Sequence, residues 1–196
     1  MSPAPAAMPA PAGPGAVHSI GPGTHVKEWI MALQSAVVDG LNAQMGREFE
    51  AHLQYLAISS WFDAEGLPEL TGFFAAQAAE EHGHAMKFLT YIQDAGGTVD
   101  IPALAAPVGR FATAEDAVAA ALDSENDVTA RINDLVDLAR GNHDHATEVF
   151  LQWFVTEQVE EVATMTELLQ ITRRAGESGL LLVEDYIARS GGHTTE

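Results

Sequence analysis

The chain has 196 residues, an ordinary apolar content of 47%, no cysteine, and 28 Asp and Glu against 9 Lys and Arg, for a formal net charge of −19. Lacking cysteine, it cannot form disulfides, thiolate zinc sites, iron–sulfur clusters or a cysteine nucleophile, which leaves oxygen and nitrogen as metal donors. Its acidity and scattered cations exclude a nucleic-acid partner, which needs a concentrated basic face, and make cations the natural ligands.

Residues 1–23 are dominated by Pro, Ala and Gly. That composition buries too little apolar surface to offset the entropy of ordering, so a disordered extension is expected. It lacks the basic start and unbroken apolar run of a secretory signal. No stretch approaches the ~20 apolar residues of a membrane span. The expected compartment is the cytoplasm, with no membrane partner.

From about residue 25 to 64 the pattern turns helical, with Val37, Leu41, Gln44, Glu48, Ala51, Tyr55, Ser59 and Phe62 on one stripe. Gly66 and Pro68 break it. A second helix over about 68–95 carries Phe74, Gln77, Glu81, His84, Phe88 and Ile92 inward, and Gly96-Gly97 stops it. The next connection, to about Thr113, exceeds the ~2–8 residues that usually join neighbouring helices. It therefore predicts a crossover along the bundle that leaves the second and third helices parallel. The third helix, about 114–140, places Val118, Ala121, Leu122, Glu125, Val128, Ile132 and Leu135 inward. The fourth, about 145–174, does the same with Phe150, Phe154, Glu157, Glu161, Met165 and Leu168. Gly176 and Gly179 precede a short fifth helix over 180–188, and residues 191–196 form a polar tail. The expectation for 24–190 is an all-α, up-down-down-up four-helix bundle with main helices of ~40 Å at 1.5 Å per residue.

Each main helix aims one acid into its apolar stripe: Glu48, Glu81, Glu125 and Glu161. An unpaired carboxylate in an apolar core costs several kcal/mol, so these acids must be protonated, paired or metallated. Arg47 and Arg131 lie near the stripes but cannot neutralise all four, whereas a pair of divalent ions can. His84 follows Glu81 at i+3, which presents two ligands from one helical face. Dimetal carboxylate sites in bundle cores usually carry two such Glu-x-x-His pairs. Here the second is replaced by Gln158-x-x-Glu161, a set poorer in nitrogen. Hard oxygen donors with a little imidazole suit iron or manganese, with zinc competing on affinity.

The segments Leu41-Asn42-x-Gln44-Met45-x-x-Glu48, Gln77-Ala78-x-Glu80-Glu81-x-x-His84-Ala85-Met86 and Gln152-Trp153-Phe154-x-x-Glu157-Gln158-x-Glu160-Glu161 resemble the motifs of haem-free bacterial ferritins. The resemblance runs from about Val37 to Tyr186 and makes the expected fold a ferritin-like bundle. It implies a first iron site of Glu48, Glu81 and His84, with Glu81 bridging to a second iron held by Glu125 and Glu161. Gln158 is then expected on the oxygen-binding side. A third site is implied at Glu80, Glu157, Glu160 and Glu161. Tyr55, two turns after Glu48, matches the family's electron-donating tyrosine, and Trp153 stands one turn before Glu157; packing is the alternative role for both.

The activity this implies is oxidation of Fe(II) by O2 and storage of the ferric product in a hollow shell of 24 subunits. In such a shell Leu180, Leu181, Leu182 and Val183 of the fifth helix line the fourfold contacts, unless that helix only packs on its own bundle. The start of the fourth helix, Asn142-His143-Asp144-His145 with Glu148, resembles the family's iron-access channel but reads first as an N-cap. Bacterioferritins differ in having Glu and His where this chain has Gln158 and Glu161. They also carry a haem-ligating Met where this chain has His82, so haem is not expected. A haem-containing cage and a dimetal oxidase of a small organic substrate are the rival readings.

Overall fold

The structure, a computed structural model, describes residues 34–190. Helix α1 spans Ser35–Ala64, α2 Pro68–Asp94, α3 Ala114–Gly141, α4 His145–Ala175 and α5 Leu180–Ser190, with a 3-10 turn over Glu177–Gly179 before α5. The helical expectation for 25–33 lies outside the described residues. No helix among the described residues is long and apolar enough to cross a membrane.

The helix ends follow local chemistry. Thr113 Oγ1 accepts from Asp116 N at 3.1 Å to cap α3, and Asp144 Oδ1 accepts from Thr147 N at 3.0 Å to cap α4. At the close of α1, Gly66 N–H reaches Asp63 O and Leu67 N–H reaches Phe62 O, a paired closure that needs the positive φ of 74° found at Gly66. The same closure ends α3, but there His143 takes φ 55° without being glycine.

The 95–113 connection runs alongside α1 and in the same direction, back along the length of α2. Asn42 Nδ2 donates to Thr98 O, Glu50 Oε1 accepts from Ala105 N, Gln54 exchanges hydrogen bonds with both backbone groups of Val108, and Trp61 meets Phe111 edge to face. Contacts at residues 42, 50, 54 and 61 in turn show the crossover ascending α1. This produces the all-α bundle with a long crossover and a short fifth helix.

The apolar core lies in two parts. Tyr55, Ile58, Phe62, Leu70, Phe74, Val118 and Met165 belong to one cluster, and Leu41, Met45, Phe88, Ile92, Ile132, Leu151 and Phe154 to the other. On every main helix the inward acid falls between residues of the two clusters, so a polar layer crosses the middle of the bundle. The inner stripes differ in detail from the periodic reading. Leu122 on α3 and Phe150 and Glu157 on α4 are only half-buried, while Leu151, Gln158, Leu169 and Thr172 are buried, so the inner face of α4 is centred about one residue off the periodic reading.

Helix α5 is amphipathic. Val183 and Ile187 pack into the first cluster, and the Glu184 carboxylate accepts from Glu69 N at 2.8 Å and Leu70 N at 2.9 Å, capping α2. Leu181 and Leu182 face outward. Val183 therefore belongs to its own bundle and not to an outer contact, because the Glu184 cap fixes the rotation of the helix.

Candidate metal centre

The middle layer holds Glu48, Glu81 and His84 with one ligand atom each within 4.8 Å of one another, all three buried. His84 Nδ1 lies 3.3 Å from Glu81 Oε2. Gln44, one turn before Glu48, donates to Glu48 Oε1 at 2.9 Å. Two buried atoms of this layer have no partner: Glu48 Oε2 and His84 Nε2. Leaving such atoms unpaired is costly, and both belong to residues of this close group, which marks it as a place for a bound cation.

Glu125 enters from α3. It accepts from the Tyr55 hydroxyl and, at 3.5 Å, from Gln158 Nε2, and Thr129 in turn donates to Gln158 Oε1 at 2.7 Å. Tyr55 and Glu125 are wholly buried and Gln158 nearly so.

Glu161 enters from α4 and groups with Glu80, Glu157 and His84, again within 4.8 Å. His84 thus belongs to both sets. Glu80 and Glu157 are half-buried, and with Gln77, Glu160, Glu161 and Glu167 they line a cleft of about 260 Å³. Glu160 is exposed at the rim of that cleft rather than inside the close group, because it stands one position off the Glu157–Glu161 face. Gln77 was legible as a stripe residue but not as a site residue. Its Nε2 donates to Glu80 at 3.0 Å, and its buried Oε1 has no partner. The signal was present in its position, one turn before Glu81.

The electrostatics follow from burial. Desolvation raises the carboxyls of Glu48 and Glu81, the latter well above the ordinary range, with neighbouring Glu125 and Glu48 pushing Glu81 further. Glu125 is raised to about 7, burial outweighing the hydrogen bond from Tyr55. Glu161 is raised to about 9 by burial, then by repulsion from Glu125, Glu80, Glu157 and Glu48. Burial lowers His84 to about 4, so its imidazole is a neutral donor at pH 7. Burial thus favours the protonated form of these carboxyls, and a cation that replaces the protons satisfies the oxygens at once.

Trp153 is 41% exposed, its ring 5.4 Å from that of His84 and under the Lys87 ammonium at 3.5 Å. At the start of α4, Asp144 is a buried cap, and Glu148 is paired with Arg140 at 2.7 Å. The cap reading of this segment is therefore the one its hydrogen bonds describe.

A family profile described as a ferritin-like domain matches residues 38–175. Ferritin BfrB of Mycolicibacterium smegmatis is 47% identical over 146 residues, covering 74% of this chain and 80% of that protein. Bacterial non-heme ferritin of Staphylococcus aureus is 35% identical over 150 residues, covering 76% and 90%. Among solved structures, an open pore ferritin from the hyperthermophilic archaeon Archaeoglobus fulgidus matches with a TM-score of 0.77 at 33% identity, covering 79% of this chain and 96% of that one.

Proposed function

The chain belongs to the ferritin-like family, and from that premise we propose that it is a haem-free iron-storage subunit that oxidises Fe(II) with O2. The observation that carries the reading is the mid-bundle layer, where buried Glu48 Oε2 and His84 Nε2 lack partners beside three further buried acids. In this reading Glu48, Glu81 and His84 hold one Fe(II), and Glu81 faces a second held by Glu125 and Glu161. Glu80, Glu157, Glu160 and Glu161 receive a third in the adjoining cleft.

Two Fe(II) supply two electrons, which with two protons take O2 to hydrogen peroxide and leave two Fe(III). Anionic oxygen ligands favour the higher charge, so the groups that bind the substrate also favour its oxidation. The buried carboxyls release protons on binding and lie where oxygen reduction needs them. In the same reading Tyr55, which donates to Glu125, gives one further electron and the third Fe(II) another, and with two more protons these take the peroxide to water, while Gln158 orients Glu125 beside the oxygen side. The ferric product moves through the acidic cleft to a mineral core inside a shell of 24 subunits in the cytoplasm. Leu181 and Leu182, exposed on α5, are among the apolar side chains available for contacts between copies.

The test is iron content against elution volume after aerobic Fe(II) loading, with Glu81→Ala alongside. Many irons per chain in a cage-sized particle, taken up more slowly by the variant, is the expected result. A small particle with about two metals per chain points instead to a dimetal oxidase. An absorption spectrum with a haem band overturns the haem-free assignment.

A further inference from the structure

His82 takes no part in the mid-bundle layer, yet it has a partner. Its ring lies 5.7 Å from that of His52 on α1, centroid to centroid, with Phe49 against it at 6.0 Å. His82 is exposed and His52 half-buried, so the pair straddles the outer seam of α1 and α2. The His52 tautomer is fixed: Nδ1 lies 2.6 Å from Ala78 O, and a carbonyl only accepts, so Nδ1 carries the hydrogen. Nε2 then keeps its lone pair, the state a metal-binding imidazole requires, and the Nδ1–H to carbonyl bond is the support that such ligands commonly have. The same carbonyl lies one turn before His82, where the α-helical ladder takes the His82 N–H.

We propose that His52 and His82 form a two-imidazole site for a divalent ion of the Cu(II) or Zn(II) class, separate from the carboxylate centre. An ion sits about 2.0–2.1 Å from an imidazole nitrogen, and the ring centroid about 1 Å beyond, so two rings sharing one ion lie roughly 5–6 Å apart. The observed 5.7 Å is within that span. Imidazole pairs favour copper and zinc, where carboxylate-rich sets favour harder ions, so the two sites differ in selectivity by donor type. Water fills the remaining positions on the exposed side, and the chain's negative charge enriches cations there. The bound ion ties α1 to α2.

The test is Cu(II) titration of the metal-stripped full-length protein, followed by electron paramagnetic resonance, for the parent, His82→Ala and His52→Gln. Gln at 52 retains a donor for Ala78 O, and His82 is exposed, so both variants should keep their helix content by circular dichroism. The expected result is loss of one bound ion per site in each variant, with loss of the hyperfine pattern of two equivalent nitrogens. His145→Ala, also exposed, leaves both unchanged, and Fe(II) oxidation by His82→Ala stays at the parent rate. Equal stoichiometry and spectra in parent and His82→Ala overturn the site. So does a change in His82→Ala that His52→Gln does not share, because the ion then has a single histidine ligand.

Discussion

Glu161→Gln should make the metal-free protein more stable while removing its response to metal. The Glu161 carboxyl is held up to about 9, first by burial and then by Glu125, Glu80, Glu157 and Glu48. In the unfolded chain it ionises at its ordinary value of 4.5. A raised folded-state value means that the proton's contribution to stability is complete below pH 4.5 and is lost as pH rises to about 9. At pH 7 the loss extends over about 2.5 pH units at about 1.4 kcal/mol each, an upper limit of about 3.5 kcal/mol. The repulsion is shared with acids that take protons themselves, so the working figure is about 1–2 kcal/mol. Gln occupies nearly the same volume and carries no charge at any pH. For a domain of this size 1 kcal/mol moves Tm by about 2–4 °C, so the variant should melt roughly 3–6 °C above wild type in EDTA at pH 7. The gap should vanish near pH 4.5 and widen towards pH 9. With Zn(II) as a redox-silent probe at 100 times its Kd, wild type gains about 2.7 kcal/mol and the variant much less, so the order narrows or reverses. Differential scanning calorimetry across pH, with and without Zn(II), measures all of this. A variant less stable than wild type in EDTA at pH 7, or a gap that does not grow with pH, refutes the reasoning.

Three further outcomes are expected. Zn(II) binding at pH 7 should release protons, since Glu125 at about 7 and Glu161 at about 9 must ionise, and affinity should rise between pH 6 and 9; calorimetry in two buffers of different ionisation enthalpy counts the protons, and no release contradicts the burial argument. Gly46→Ala should lower stability by about 1–3 kcal/mol, because a Cβ there comes 2.3 Å from Pro102 Cγ and pushes the crossover off α1; an unchanged Tm indicates a crossover that moves freely. His143→Gly should raise stability by about 0.5–1 kcal/mol by relieving a positive φ, and a drop in denaturant midpoint would show that the imidazole is needed there.

Much of the helical frame was legible because a 3.6-residue period is a local property. Glu48, Glu81, His84, Glu125 and Glu161 each stood out as polar groups on apolar stripes, and each is buried in the structure. The crossover was legible from its length and prolines. Periodicity did not give the partners of those groups. The grouping of Glu161 with Glu80 and Glu157 was implied only by the resemblance, and that Glu125 is engaged by Tyr55 and Gln158 depends on how α1 and α4 are rotated against α3. Thr129 and the free oxygen of Gln77 stayed hidden for the same reason, since a stripe gives the face of a helix but not what the opposite face supplies.

Likewise, four leucine-like residues opening α5 read alike in sequence, yet Val183 is buried and Leu181 and Leu182 are exposed. Glu184 decides this by reaching the open amides of α2, more than one hundred residues away in the chain. The His52–His82 pair is of the same kind, thirty positions apart and joined only where α1 and α2 pack. The sequence by itself determined which side chains turn inward and that they carry charge needing compensation, because both follow from local periodicity and the cost of desolvation. Only the tertiary structure decided which groups lie close enough to share a hydrogen bond or to feel one another's charge, because those energies fall off within a few ångströms and depend on how the helices are rotated together.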